Sequence, residues 1–447
     1  MITATRRDTG ISGILKKNET MHIHVDRDYR NVAYLLLTEV GTKALSLLCF
    51  VIMARGLSKQ SYGIVALAFS VGSLFYIFFN IGLENHIIRD IKYLLQTKTY
   101  SALQELASTV ATIKIWLFPV FSIILGILSW AMGWWNTAYL PVIFLIFSYF
   151  YLSSVIQLIL FFFRAFENMA YEFVVRIAQG LMLIVVTLLF GYFYKNILFL
   201  SVGYVVMAMI AFFGIFAFFI KKTGLVPSVS RRINKREITL VGKTKYLFLT
   251  SICTSVFSSI DILIISHLRG VEDVAIYKNA VMITLALFLI PTAIVQGFYP
   301  KLVQHKVKLD EFFKTVKKIL LRLIPLGMGV AAIFALAGSQ LIVAFFGKSY
   351  IASIPLFRIS LIAFLFATIN QVLGYGMIAI GKYKEYFIIT FIVSIVSVLL
   401  NSILISKIGL MGGVITLNTT HLLLIILPIT YLYFSFIQDK RKQYNTI

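Results

Sequence analysis

Two charged side chains lie one helical turn apart in the middle of the first long apolar segment. Glu39 and Lys43 are spaced i, i+4, and with Thr42 and Ser46 they form one polar stripe on a helix. A charge at the centre of a bilayer costs roughly 2.5 to 3.5 kcal/mol, so it usually faces protein or water. Lys43 could attract a phosphate and Glu39 a coupling cation. Equally, the pair could be a structural ion pair that joins helices.

Asp261 ends a polar face on the seventh apolar segment. Thr250, Thr254 and Ser258 precede it at positions that share one side of a helix. The sequence shows no partner for this carboxylate. The pattern favours a structural or gating role, and binding of Na⁺ or H⁺ is the alternative if a second helix contributes oxygens.

Four further cations lie inside apolar segments, namely Arg176, Arg358, Lys114 and Lys278. A guanidinium or an ammonium there could bind a pyrophosphate, and Arg176 has Glu172 at i−4. Near the end of a span, such a side chain more often extends to the lipid headgroups. Together with Lys43, these cations outnumber the carboxylates Glu39 and Asp261. That charge balance suits a cavity for an anionic ligand.

Recognisable catalytic and cofactor-binding patterns are absent from the sequence. We find no HExxH, no Walker loop, no nucleophile elbow and no paired carboxylates at catalytic spacing. The only cysteines, Cys49 and Cys253, have no metal-ligand spacing and are expected to be packing residues. The sequence therefore predicts no catalytic residue, no metal and no cofactor, and it disfavours an enzyme.

The elements that carry these side chains must be membrane helices. Of 447 residues, 60% are hydrophobic and 13% are charged, which leaves too little polar surface for a soluble globule of this size. A spanning helix needs about 20 apolar residues. Twelve such stretches occur, at 32–54, 62–82, 109–131, 138–160, 171–193, 197–220, 246–268, 274–298, 319–341, 352–380, 386–406 and 410–436. Because they are apolar on every side, we predict an all-α integral membrane protein with about twelve transmembrane helices.

Basic residues are distributed unevenly about these stretches. With the N-terminus in the cytoplasm, the tails and even-numbered connections hold 30 Lys and Arg, whereas the opposite side holds six. This asymmetry predicts a multi-pass protein of the cytoplasmic (inner) membrane with both termini cytoplasmic. The net charge of +23 then reflects topology and attraction to lipid headgroups, and we expect no nucleic acid partner. We also expect no cleavable signal peptide, since residues 1–31 lack an apolar core.

Two halves of the chain repeat one another weakly. A shift of 214 residues places Arg55-Gly56 on Arg269-Gly270, and 165–175 on 379–389. Six spans per half is an even number, so both halves enter the membrane in the same direction and could enclose a central cavity. We predict a tail at 1–31, an N-lobe at 32–220, a basic connector at 221–245, a C-lobe at 246–436 and a tail at 437–447.

Two shorter patterns complete this architecture. The connections 83–108 and 299–318 carry apolar residues at helical spacing between charges, which predicts short interfacial helices. Gly409 and Gly413 form a small-xxx-small pair at the start of the last span, which predicts close helix packing there.

Six segments resemble, in the right order, the polysaccharide and O-antigen flippases of the multidrug, oligosaccharidyl-lipid and polysaccharide exporter superfamily. They are YGIVALAFSVGSLFYIFFNIGLEN at 62–85, SSIDILIISHLRGVEDVAIYKNAVMI at 258–283, FYPKLVQ at 298–304, FFGKSYIASIPLFRI at 345–359, NQVLGYGMIAIGKYK at 370–384 and KIGLMGGVITL at 407–417. The resemblance implies two six-helix lobes, alternating access and translocation of a polyprenyl-pyrophosphate-linked glycan to the outer leaflet. Its implied partners are the lipid-linked oligosaccharide, membrane lipids, Na⁺ or H⁺, and a polysaccharide polymerase with other assembly proteins.

Two rival functions stay open beside the flippase. A cation-coupled multidrug extruder of the same superfamily has a comparable composition, although the excess of intramembrane Lys and Arg disfavours a pocket for cationic drugs. A membrane polysaccharide polymerase also has many spans. It generally needs a substantial outer loop, whereas each outward connection here is about a dozen residues or fewer.

Overall fold

The protein is helical throughout the part of the chain that the structure describes. The computed structural model describes residues 22–80, 84–97, 99–135, 137–228, 235–304 and 309–444. Across these ranges there is no strand. Twelve helical segments are long and apolar enough to cross a membrane. The predicted all-α class and the twelve spans are confirmed, and the chain is a multi-pass membrane protein.

The chain divides into two compact units. The first comprises Met1–Leu57 and Ala68–Lys245, and the second comprises Ser58–Leu67 and Tyr246–Ile447. The second unit thus includes a short segment from early in the chain, which the sequence did not indicate. The lobe boundaries drawn from the sequence stay a prediction, and parts of the predicted tails and connector lie outside the described residues.

The first unit contains most of seven helices. They are α1 (His22–Gly56), α2 (Lys59–Asn80), α3 (Glu84–Gln96), α4 (Tyr100–Ala131), α5 (Tyr139–Ala165), α6 (Met169–Val186) and α7 (Ile197–Thr223). The span of α6 continues through a π-helical turn, Thr187–Phe193. Helix α3 is the short helix expected in 83–108, and its apolar residues Ile87 and Ile91 are buried against a core shared with α4, α5 and α7.

Glycines bring α1 and α6 close together. A Cβ on Gly41 would lie 2.6 Å from Cδ1 of Ile177, and one on Gly180 would collide with Leu45. Further along, Gly56 lies against the backbone of Gly191. These contacts advance in the same direction on both helices, so α1 and α6 run parallel. The face of α1 that packs on α6 therefore includes Gly41 and Leu45.

Besides the Ser58–Leu67 segment, the second unit contains six whole helices and α8 from Tyr246 onward. They are α8 (Lys235–Leu268), α9 (Val271–Leu287), α10 (Leu289–Gln304), α11 (Leu309–Phe346), α12 (Ser353–Ala379), α13 (Tyr383–Ile408) and α14 (Leu410–Tyr444). Helices α9 and α10 form one span, Val271–Gln304. They are separated at Phe288, just before Pro291, because proline lacks the N–H that would continue the helical ladder and its ring crowds the preceding turn.

The interfacial helix predicted at 299–318 is not a separate element. Helix α10 extends to Gln304, and α11 begins at Leu309 and runs without a break through the ninth span. No glycine or proline interrupts 309–324, so the amphipathic start and the apolar span form one helix. The third span likewise begins at Tyr100, nine residues before the expected position.

Candidate functional site

Glu39 and Lys43 lie on a free face of α1. The helix packs on α6 through Gly41 and Leu45. Glu39 and Lys43 are each two positions from one of these residues, and such a step turns a side chain to the opposite side of a helix. Both charged residues are exposed. They form no direct ion pair, although their charges interact across one helical turn. Within the first unit, Glu39 and Lys43 thus lie on a side of α1 that α6 does not cover.

Arg176 lies at the same level on the neighbouring helix α6. Contacts between α1 and α6 set the register, since the rings of Tyr34 and Phe173 are 5.7 Å apart and Gly41 meets Ile177. Arg176 is half-buried and lies within electrostatic range of Tyr149 on α5. Three of the predicted site residues, Glu39, Lys43 and Arg176, thus fall at one depth of the first unit.

Glu172 does not neutralise Arg176, although it lies one turn before it. Its carboxylate accepts two hydrogen bonds from Arg164, at 2.5 Å from Nε and 2.6 Å from Nη2. This fork-to-fork geometry is the strong form of a guanidinium–carboxylate pair. Glu172 is buried at the corner between α5 and α6. The net charge at the level of Lys43 and Arg176 therefore stays positive.

Lys114 lies inside the first unit and away from that face. Its side chain is buried, and its Nζ donates to Oδ1 of Asn80 at 3.0 Å and to the carbonyl of Ser154 at 3.2 Å. Both acceptors are neutral and belong to neighbouring helices. Such an arrangement satisfies a buried ammonium and ties three helices together. The geometry favours the structural interpretation of Lys114 over contact with a substrate.

Asp261 has a hydrogen-bond partner on its own helix, α8, and another on the next helix, α9. The carboxylate accepts a hydrogen bond from the Tyr277 hydroxyl at 2.6 Å and one from the backbone N–H of Ile262 at 2.7 Å. The charge of Lys278 acts on the same carboxylate. The structure thus brings together two predicted site residues, Asp261 and Lys278, in the second unit. The side chain of Asp261 is only 5% exposed, which fits a structural or gating role.

A second buried hydrogen bond adjoins this pair and was missed by the sequence analysis. The Tyr62 hydroxyl donates to Oδ1 of Asn279 at 2.6 Å, across 217 residues of sequence. Gly63 lies so close to Val271 that a Cβ would overlap its carbonyl group. A buried asparagine in an apolar span is the only sequence signal that pointed here. The Tyr62 ring also meets Tyr350, whose pKa burial raises to about 12.

Arg358 lies apart from the other candidates of the second unit. Its side chain is exposed, and Nη2 donates to Oγ of Ser339 on α11 at 3.1 Å. Position and exposure fit an arginine that extends towards headgroups. Elsewhere in the second unit, Gly413 lies against the Tyr277 ring, so the close packing predicted for the start of α14 is confirmed. No group of three potential metal ligands occurs among the described residues.

The predicted site residues therefore form two groups and two isolated cations. In the first unit, Glu39 and Lys43 are exposed and Arg176 is half-buried, and the net charge of these three residues is positive. The group of the second unit is buried and already hydrogen-bonded, so it is suited to holding helices in register. Lys114 and Arg358 belong to neither group.

Comparison with known proteins gives the family and the fold. Residues 29–306 match the family model described as polysaccharide biosynthesis protein. A stretch of 172 residues is 27% identical to a Shigella flexneri protein whose name provisionally assigns it as an O-antigen transporter. That match covers 38% of this chain and 41% of the relative, so it spans about two-fifths of the relative's length.

Two solved transporters share the fold. An inward-facing multidrug resistance MATE family transporter of the MOP superfamily aligns with a TM-score of 0.70 at 13% identity, over 90% of this chain and 98% of its own. The lipid II flippase MurJ in an inward closed conformation aligns with a TM-score of 0.60 at 15% identity, over 89% of this chain and 87% of its own. At such identities, the likeness shows the fold.

Proposed function

The chain belongs to the polysaccharide biosynthesis protein family, and from that premise we propose that it is a flippase for a lipid-linked oligosaccharide. Its substrate would be a polyprenyl-pyrophosphate-linked repeat unit of O-antigen, capsule or exopolysaccharide. The protein would move it from the cytoplasmic to the outer leaflet of the cell membrane by alternating access, coupled to Na⁺ or H⁺. A polysaccharide polymerase and other assembly proteins would be its partners.

This proposal rests on two positively charged residues, Lys43 and Arg176, that lie at the same depth of the first unit. Lys43 and Arg176 come from two parallel helices at one depth, and among the described residues of this depth Glu39 is the carboxylate that no arginine holds. A diphosphate is a small dianion that ammonium and guanidinium groups bind through charge-assisted hydrogen bonds. Because Glu172 is held by Arg164, the positive charge of this level is available to a ligand. Glu39 would be the group that a coupling cation binds.

The same charges argue against a pocket for cationic drugs. A multidrug extruder would need an apolar or acidic surface where this unit carries two cations and one carboxylate. Because this chain shares its fold with a multidrug transporter, the architecture alone favours neither the flippase nor the multidrug extruder. The sign of the charge at Lys43 and Arg176 therefore supports the flippase.

The connections on the predicted outer face argue against a polymerase. The longest of them, between α4 and α5, comprises residues 132–138. The others are shorter, and Gly409 alone joins α13 to α14. Loops of this length leave little room for an outer domain that could bind and join two glycan chains.

The deciding experiment follows the lipid-linked glycan in cells that lack the gene. We expect complete repeat units to accumulate at the inner face, and wild-type protein to restore export. Lys43→Ala should fail to restore it, whereas Lys221→Ala, which removes an exposed lysine at the end of α7, should restore it fully.

Two results would contradict the flippase. Unpolymerised units that still reach the outer face would favour a polymerase. Unchanged glycan together with new sensitivity to cationic dyes would favour the multidrug extruder.

A further inference from the structure

A cationic cleft lies in the second unit, away from the residues considered so far. It has a volume of 340 Å³ and is formed by the end of α10 and the first turns of α11. Its polar lining consists of Lys301, Glu311, Lys314, Thr315, Lys318 and Arg322. Four cations and one carboxylate give these side chains a net charge of +3.

The cations of α11 are arranged in a row. Lys314, Lys318 and Arg322 are spaced i, i+4, i+8, so they share one face over about 12 Å of helix. Lys301 approaches the same cleft from α10. Like charges at this spacing destabilise a helix. None of the four forms an ion pair with a carboxylate whose placement the structure describes. The row is therefore a fixed positive surface that an anion would stabilise.

Core packing holds the cationic row in place. The adjoining face of α11 carries Phe312, Ile319 and Leu323, which are buried in a core with Val295 and Leu302 of α10, and Ile319 also lines the cleft. This core fixes the distance between α10 and α11, and hence the width of the cleft. Because this core holds the backbone of both helices, binding an anion in the cleft requires less ordering, which lowers its entropy cost.

Apolar side chains flank the other edge of the cationic row. Leu321 is 64% exposed, and Ile324 and Met328 continue its strip along the helix. Leu321 and Ile324 lie within Glu311–Phe346, a helix long and apolar enough to cross a membrane, so an acyl chain can pack against this strip. A ligand that contacts both the cationic row and the apolar strip needs an anionic head and an apolar tail. A lipid has both, whereas free phosphate has no apolar part.

We propose that this cleft binds the headgroup of a lipid that carries two phosphate charges, with its chain beside Leu321 and Ile324. Basic pockets between membrane helices on the cytoplasmic side recognise such headgroups, and the charge asymmetry of the sequence predicts that side for 299–318. A diphosphatidyl phospholipid and a polyprenyl diphosphate share this chemistry. The site does not depend on the proposed translocation, since binding can be measured without transport.

Lipid binding to the purified full-length protein tests the site. The protein is placed in phosphatidylcholine nanodiscs that contain either a diphosphatidyl lipid or undecaprenyl diphosphate, and bound lipid is counted by native mass spectrometry. Lys318→Gln should weaken binding about fivefold, and Lys318→Gln with Arg322→Gln about 25-fold, since each basic residue near the headgroups contributes roughly a factor of five. Lys317→Gln is the matched control, because Lys317 is exposed on the same helix but does not line the cleft.

The two lipids identify the source of the headgroup. Selective retention of the diphosphatidyl lipid would assign the cleft to a resident membrane lipid, and selective retention of the polyprenyl diphosphate would assign it to the carrier of the substrate. The proposal is overturned if neither lipid is retained above phosphatidylcholine, or if Lys317→Gln weakens binding as much as Lys318→Gln. Circular dichroism of each variant separates lost binding from lost folding, and both substituted side chains are exposed.

Discussion

Single side chains satisfy their buried charges in different ways in the two units. Glu172 is held by a guanidinium in a two-pronged ion pair, whereas the buried ammonium of Lys114 is satisfied by two neutral oxygens. Asp261 relies on a phenol, a backbone N–H and a nearby lysine. In each case, removing one partner would leave a polar atom unsatisfied in a medium where water cannot replace it.

The ion pair at the corner of α5 and α6 should contribute strongly to stability. Glu172→Ala leaves the guanidinium of Arg164 without its carboxylate, and breaking a buried pair in this way costs about 3 kcal/mol. Lys92→Ala is the matched control, since it removes the exposed ion pair with Glu167, 3.0 Å long, near the same corner, and should cost less than about 1 kcal/mol. Thermal unfolding in detergent measures both, and equal losses would contradict the ranking.

The hydroxyl group of Tyr277 should contribute more to the stability of the protein than its aromatic ring does. Tyr277→Phe keeps the aromatic contact with Gly413 but removes the donor to Asp261. The expected loss is about 1 to 3 kcal/mol, the cost of a buried acceptor left without its partner. Tyr433→Phe changes an exposed tyrosine on α14 and should leave the unfolding temperature unchanged. A Tyr277→Phe protein as stable as wild type would show that Asp261 has other support.

At this scale, the sequence identified residue types but not their partners. Glu39, Lys43 and Asp261 stood out because a charge in an apolar segment is unusual. Their neighbours did not, since Tyr277 lies 16 residues from Asp261 and Arg164 lies across a corner from Glu172. The hydrogen bond from Tyr62 to Asn279 joins distant parts of the chain, and an asparagine in an apolar stretch does not show which residue it pairs with. Pairing depends on how helices pack, and periodicity carries no information about that.

The spanning helices themselves were predictable because length and apolarity decide their existence. Every predicted span has its counterpart, and most ends agree within a few residues. The larger errors concern α4 and α11, whose amphipathic starts continue into apolar spans without a break. Hydropathy marks where a helix becomes apolar, whereas its beginning depends on local hydrogen bonding. The break between α9 and α10 had a visible signal in Pro291.

The close approach of α1 and α6 predicts that glycine is required at one position and not at another. Gly180→Val would place a branched side chain against Leu45 and force the two helices apart, at a cost of about 1 to 3 kcal/mol. Export of the glycan should fall as well, because Lys43 and Arg176 would no longer lie at the same depth. Gly214→Val, in α7 where no atom lies near the Cβ position, is the control. Normal export by Gly180→Val would contradict this account.

For the whole molecule, the uneven distribution of basic residues predicts which face is cytoplasmic. Single cysteines can test it in a protein whose buried thiols, Cys49 and Cys253, have been replaced by alanine. Lys348→Cys should react with a membrane-impermeant maleimide added to intact cells, whereas Lys382→Cys should react only after the cells are opened. Both positions lie in or beside short connections between spans. The reverse labelling pattern would invert the topology, and the cationic cleft would then face the outer leaflet.

The membership of Ser58–Leu67 in the second unit has a consequence for synthesis. Tyr62 leaves the ribosome 217 residues before Asn279, which is about 10 to 40 s at ordinary elongation rates. Throughout that interval its phenol has no native acceptor, and the translocon or lipid must accommodate it. A second half translated as a separate polypeptide from Tyr246 onward would never acquire those ten residues. When the chain is expressed as two fragments that divide before Tyr246, we therefore expect assembly only if the first fragment contains Ser58–Leu67.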